Sequence, residues 1–337
     1  MDARPTLRDV ALLAGVSPKT VSRVVNQEAG VSAALAGKVR RAIDQLGYRP
    51  NITASSLRRA GGRTAAIAAV LEDVANPFSA ALHRALSDVA RERGVMIFAG
   101  SVDEDPDRER ALVHEFTTRQ ADALVIVPAS ENQAYLGREI VAGTPVVFVD
   151  RPPVGVHADA VLADNEAGAA AAVHHLVAHG HRDLAYLGDL RSIATARQRF
   201  QGFRDALSEH GLRPAHVAHD LHTAGAAEAA MAAMLAAERP PTAVFSAQNL
   251  VTIGVIRALR AGGRHRDVAL VGFDDFPLAD LLQPAVTVVA QDPSAMGRVA
   301  ASLVFRRLDG ETWEPTTHLV PTRLVPRGSG EIKGPFA

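Results

Sequence analysis

The chain predicts a small all-α helix-turn-helix head followed by a larger α/β body. Three observations carry that expectation. The first fifty residues hold three short, capped, amphipathic helical patterns. Short apolar runs, separated by helix-length segments, fill the rest. Charge divides between the two parts: residues 1–63 hold 11 lysines and arginines against 4 carboxylates, and the remainder holds 25 against 33. A net charge of −1 over 337 residues therefore conceals a basic head on an acidic body.

The elements follow in order. Thr6 is a hydroxyl N-cap with Asp9 three residues on, and Gly15 supplies the tight turn. Ser17 caps a second helix whose first position is Pro18. Val10, Ala11, Ala14, Val16, Val21, Val24 and Val25 recur at helical spacing and face inward, leaving Pro18, Lys19, Ser22 and Arg23 pointing outward. A third helix runs from its cap Ser32 to Leu46, with Val39, Ile43 and Leu46 on the buried stripe and Gly47 at the stop. An α-helix fits the DNA major groove, so the outward set on a basic head reads as a DNA-facing surface.

Gly61 and Gly62 close a linker near residue 63. Beyond it come AAIAAVL (65–71), VMIFAG (95–100), ALVIVP (123–128), VVFV (146–149), LAYLG (184–188), AVFS (243–246) and VALVGF (268–273). Apolar on both faces, these runs predict parallel strands in β-α units. Ligands of open α/β sheets sit beyond the carboxyl ends of strands, where Asp150, Asp274, Asp275 and Gln291 fall.

Several function classes drop out. With no cysteine, disulfides and thiolate metal sites are excluded. The N-terminus is polar and basic, and no uncharged apolar stretch approaches membrane-spanning length, so a cytoplasmic protein with no membrane partner is expected. His174, His175, His179 and His181 cluster, but no acidic residue falls between His175 and His179 as a metalloprotease helix requires. No GxGxxG or nucleophile–base arrangement occurs. No catalytic residue, metal or cofactor is expected. LVPRGS at 324–329 equals a protease-cleavable linker string and is read as native to the body.

The string TLRDVALLAGVSPKTVSRVVN at 6–26, followed by LGYRPN (46–51), NPF (76–78), VDRP (149–152), DN (164–165), GH (180–181) and VGFDD (271–275), resembles the lactose-repressor (LacI/GalR) family of bacterial transcription regulators across nearly the whole chain. The resemblance implies a body like a periplasmic binding protein, with two Rossmann-like subdomains. Its domains would be a head at 1–50, a hinge helix and linker at 51–63, an N-terminal subdomain at 64–161 with 292–322, and a C-terminal one at 162–291 with 323–337. It further implies a repressor acting as a homodimer on double-stranded palindromic operator DNA and controlled by a sugar-like effector.

Carried over position by position, Pro18, Lys19 and Arg23 would face bases. Ser17, Thr20, Ser22, Asn26 and Ser32 would contact phosphates and fix register, and Thr6 would also contact DNA. Asn51, Ala54 and Leu57 would belong to a hinge that orders on DNA, with Leu57 entering the minor groove. In the cleft, Phe78 and Ser79 would form one lip and Asp150, Arg199, Gln248, Asp274 and Gln291 a polar ring, with Leu221 where the family often has an aromatic residue. Gln248 and Asn249 stand where the family usually has Asn-Asp, and Ser55 where many members have Arg or Gln. The cleft departures point away from a plain hexose.

Overall fold

In the computed structural model, which describes residues 5–26, 28, 30–49 and 63–337, the head begins with α1 (Leu7–Ala14). Its capping is reciprocal: the Asp9 N–H donates to Thr6 Oγ1 at 3.4 Å, and the Thr6 N–H donates to Asp9 Oδ2 at 2.7 Å. Gly15 turns the chain at φ 66°, a left-handed conformation that favours glycine. In α2 (Pro18–Val25) the first turn is closed by Ser17 Oγ, which accepts from the Thr20 N–H at 3.1 Å. α3 (Ala33–Leu46) starts on Ser32 and stops at Gly47, after which the Tyr48 N–H returns to the Ile43 carbonyl. Val10, Ala11, Val21, Val24, Val39 and Ala42 form the buried centre. Ala14, Val16, Val25, Ile43 and Leu46 pack around it half-buried, because so small a core cannot cover every apolar residue.

The body is a separate compact unit. Its first sheet holds β1 (Ala66–Leu71), β2 (Met96–Ser101), β3 (Ala123–Ile126), β4 (Val146–Val149), β5 (Asp159–Ala163) and β11 (Thr317–Val320) in the order β2-β1-β3-β4-β5-β11, all parallel. The second holds β6 (Leu184–Leu187), β7 (His216–Ala218), β8 (Ala243–Ser246), β9 (Ala269–Phe273), β10 (Thr287–Ala290) and β12 (Arg323–Val325) in the order β7-β6-β8-β9-β10-β12, with β12 antiparallel. The apolar runs locate β1–β4, β6, β8 and β9. Among those they miss, β7, β11 and β12 are three or four residues long at sheet edges, where no continuous apolar run is required.

Helices cover both faces of each sheet. On the first, α4 (Pro77–Glu92) packs beside the late helix α11 (Pro293–Leu308), opposite α5 (Pro106–Thr118) and the short α6 (Gly137–Val141). On the second, α7 (Asn165–Ala178) and α8 (Ala194–Glu209) lie opposite α9 (Ala224–Leu235) and α10 (Asn249–Ala261). Three pairs need a glycine at the crossing: a Cβ on Gly202 would run into the Glu166 backbone, one on Gly254 into the Ala224 carbonyl, and one on Gly297 into the Leu82 carbonyl. The chain passes between sheets three times, after β5, after β10 and between β11 and β12. The first sheet keeps the chain to Ala163, two residues past the boundary expected at 161.

The segment 324–329 is built into the second sheet. Leu324 and Val325 belong to β12, and buried Ser329 donates to the Leu270 carbonyl at 2.6 Å and accepts from the Thr287 N–H at 2.9 Å. His175 bonds Glu331, and His181 lies 2.8 Å from the Ile332 carbonyl, so two residues of the histidine cluster anchor the C-terminal tail. Among the described residues, no group of His, Cys, Asp and Glu is placed to hold a metal ion, and no helix is long and apolar enough to cross a membrane.

Candidate functional site

On the head, burial of Val21 and Val24 turns the opposite side of α2 to solvent. Ser17, Pro18, Lys19 and Arg23 are exposed, and Thr20, Ser22 and Asn26 are half-buried beside them. Thr6 and Ser32 are exposed at the starts of their helices, each engaged as a cap. Arg23 Nε lies 3.6 Å from Glu28 across solvent, an ion pair too weak to hold the guanidinium away from another partner. The hinge positions Asn51, Ala54 and Leu57 lie outside the described residues.

In the body, the carboxyl ends of both sheets face a common cleft open to solvent. Its form follows from a repeated backbone device. Asp150 follows β4 at φ 69° and its N–H donates to Val161 of β5 at 3.0 Å; Asp274 follows β9 at φ 70° and its N–H donates to Val289 of β10 at 2.9 Å. Equivalent strands of the two sheets thus end in a left-handed aspartate over the same space. Aspartate tolerates that conformation better than most side chains, but not freely.

Asp274 is held by its neighbours. Buried Arg199 of α8 reaches Asp274 Oδ2 at 3.3 Å, the Ala247 carbonyl at 2.8 Å and Asn165 Oδ1 at 2.8 Å, and its guanidinium lies over the Phe273 ring at 3.9 Å. Gln291 donates to Asp274 Oδ1 at 2.7 Å, while its own Oε1 has no partner. Gln248 lines the cleft, but its amide oxygen caps α10 by accepting from the Leu250 and Val251 N–H groups at 2.7 and 3.1 Å. Phe78 lines the opposite wall.

Two expected positions stand apart. Ser79 is buried in the first turn of α4 and Leu221 is packed into the core beneath the second sheet, so neither lines the cleft. Next to Leu221, His222 bonds Asp189, a cleft residue, at 2.8 Å.

Six polar cleft residues escaped the sequence reading: Glu72, Asn76, Glu104, Arg151, Asp189 and Thr195. Glu72 directly follows β1, and Asp189 lies two residues beyond β6, so the rule that singled out Asp150 would have found both. Arg151, two residues beyond β4, falls under the same rule, whereas Glu104 and its pairing with Arg151 required the fold. The two side chains form a buried two-pronged pair at 2.7 and 2.5 Å, with a further bond from Arg151 to the Pro128 carbonyl. Asn76, the N-cap of α4, accepts from Asn249 of α10 at 3.0 Å, a hydrogen bond that spans the two halves of the body.

Burial and the charge of Glu104 push the Glu72 carboxyl up to about 7. Burial likewise raises Asp150 above the usual carboxylate range, against the pull of Arg151 and Arg199. The hydrogen bond to Asp189 raises His222, which also feels Glu104 and Glu72. The site therefore holds much negative charge in little water. It offers hydrogen-bond acceptors in several directions, suited to a small polar molecule.

A helix-turn-helix head joined in one chain to a two-sheet body with such a cleft defines the class of ligand-binding, DNA-binding regulators. Residues 6–51 match the model of the lacI family of bacterial regulatory proteins, and residues 173–330 match a periplasmic binding protein-like domain. The chain is 34% identical to the HTH-type transcriptional regulator CelR of Thermobifida fusca, over 97% of this chain and 98% of that one. It is 30% identical to the ribose operon repressor of Halalkalibacterium halodurans, with 96% of each covered. Among solved structures, the Lac repressor dimer bound to operator and the anti-inducer ONPF matches with a TM-score of 0.85 at 26% identity, over 97% of this chain and 99% of that one. A CelR–cellobiose complex matches with 0.71 at 33%, over 97% and 100%. The chain belongs to the LacI family of DNA-binding transcriptional regulators.

Proposed function

We propose that this protein is a cytoplasmic repressor that binds palindromic operator DNA as a homodimer, and that a sugar-like effector held in the body cleft sets its operator affinity. Lys19 and Arg23, with Pro18 beside them, meet base edges; Thr6, Ser17, Thr20, Ser22, Asn26 and Ser32 fix register; and Asn51, Ala54 and Leu57 act in the minor groove. The observation that carries the reading is the juxtaposition of Asp150, Asp274 and Gln291 at facing strand ends with Arg199 of α8, in the same chain as a solvent-facing α2. Similarity to an operator-bound repressor and to a cellobiose-bound regulator supports it. The subdomains are those expected from the sequence with the first boundary moved to Ala163, and the effector between them changes their angle. A coupling of about 1–3 kcal/mol would alter operator affinity some 5- to 150-fold.

The test is selection of duplexes by the full-length protein from a randomised pool, followed by titration of the selected site at several salt concentrations. A palindromic winner, with log-log affinity falling at a slope of about −0.9 per phosphate contact, is expected. A non-palindromic winner or a salt-independent affinity would remove the reading. Arg23→Ala should cost about 1–3 kcal/mol on the selected site and much less on random DNA. An equal loss on both would make Arg23 a phosphate contact.

A further inference from the structure

We propose that the cleft is built for a hydroxyl-rich ligand bearing a protonated amine, an amino sugar, with Asp150 and Glu72 receiving the ammonium group, and that sugars bearing a carboxylate or phosphate are turned away. This rests on reading the cleft as the effector site and adds the charge of its ligand.

Five carboxylates and two guanidiniums line the cleft. Both guanidiniums are already committed: Arg151 to Glu104 and the Pro128 carbonyl, Arg199 to Asn165, Ala247 and Asp274. An incoming anion therefore meets surplus negative charge and only paired guanidiniums among the lining residues, with the single N–H of Arg151 Nε left over. Asp189 and Asp274 have donors of their own, from His222 and Leu190 in one case and Arg199 and Gln291 in the other.

Asp150 and Glu72 differ from the rest. Asp150 is only 8% exposed, lines the cleft, and accepts no hydrogen bond from any described residue; its closest cation is Arg151 Nε at 3.6 Å. A buried carboxylate without a donor is expensive, and the space from which a donor can arrive is the cleft. Glu72, half-buried on the wall formed by the end of β1, also accepts no hydrogen bond from the described residues. An ammonium group brings three donors and a compensating charge, where a hydroxyl brings one donor and none. The hydroxyl requirement comes from two orphaned atoms of opposite character. Arg151 Nε lacks a hydrogen-bond acceptor and Gln291 Oε1 lacks a donor, and a hydroxyl can answer either.

The experiment is calorimetric and thermal-shift titration of the full chain with matched probes in the gluco, galacto and manno series. Each series contains the neutral sugar, its 2-amino-2-deoxy analogue, its uronic acid and its 6-phosphate, with cellobiose, its fully de-acetylated diamino analogue and cellobionic acid as the disaccharide set. In at least one series the amine should bind roughly tenfold or more tighter than its neutral partner, with no response to the acid or phosphate. Glu72→Gln and Asp150→Asn, taken separately, should shrink that amine-to-neutral ratio to within about threefold. If the neutral sugar equals the amine in every series, or an acid or phosphate binds, the charge inference fails while the sugar-effector reading stands. If nothing in the panel binds, both fail.

Discussion

Asp150 and Asp274 show how a site is made from backbone strain. A non-glycine residue in the left-handed region costs on the order of 1 kcal/mol or more, and here each aspartate adopts it where a strand must end and a carboxylate must enter the cleft. Asp150→Gly should relieve that strain and remove a buried charge, leaving urea-unfolding stability equal or higher by about 1 kcal/mol while abolishing ligand binding. A stability loss of several kcal/mol would show that Asp150 is structural.

Glu72 makes a second residue-scale prediction. Its carboxyl is raised from 4.5 to about 7, so the folded state holds this proton more tightly than the unfolded chain does. The stabilisation is present below the unfolded value and disappears as pH rises through about 7. Glu72→Gln, which mimics the protonated form, should therefore differ little from the parent near about pH 4.5 and melt at a higher temperature near about pH 8. A melting difference that is flat across this window would mean Glu72 is solvated.

Among elements, the telling pair is α4 and α10, whose N-terminal residues meet across the body. Asn76 caps α4 through the Phe78 N–H at 3.1 Å and with the same oxygen accepts from Asn249 of α10. This bond ties one helix start to another, and it must break if the halves separate. Asn249→Ala should weaken ligand binding by about 0.5–1.5 kcal/mol, the worth of one neutral hydrogen bond, with little change in unfolding midpoint. Titration with whichever probe binds the parent checks this, and unchanged affinity would show that the bond does not report closure. The helix pairs beneath the sheets are stiffer. With Gly297 at the crossing in the first half and Gly202 and Gly254 in the second, the backbones are too close to slide without clashes, which favours rigid movement of each half over deformation within it.

For the whole molecule, the three passages of chain between sheets matter most. They are short, joining β5 to α7, β10 to α11 and β11 to β12, and Gln291 lies on the second of them while bonding Asp274. A ligand that bonds both walls of the cleft would therefore act directly on a connection between the halves. Charge is also a property of the whole chain. The basic surplus of residues 1–63 and the acid surplus of the remainder keep the phosphate-seeking surface in one part and the anion-repelling cleft in another.

The sequence by itself determined the head: Thr6, Ser17, Ser32, Gly15 and Gly47 work through contacts within a few residues, and the valine spacing fixes which side of α2 is buried. It also determined most of the central strands, because a strand covered on both faces must be continuously apolar, but not the interior β5 and β10, whose short runs include Asp159 and Thr287. The strand ends marked Asp150, Asp274 and Gln291 for the cleft, whereas tertiary structure decided which other residues join them and how the charges pair. Leu221 fell into the core and Ser79 into a helix turn, while Arg151 found Glu104 across 47 positions of chain. The physical reason is range: capping and periodicity are local, whereas pairing, burial and the want of a partner at Asp150 depend on segments that only the folded chain brings together.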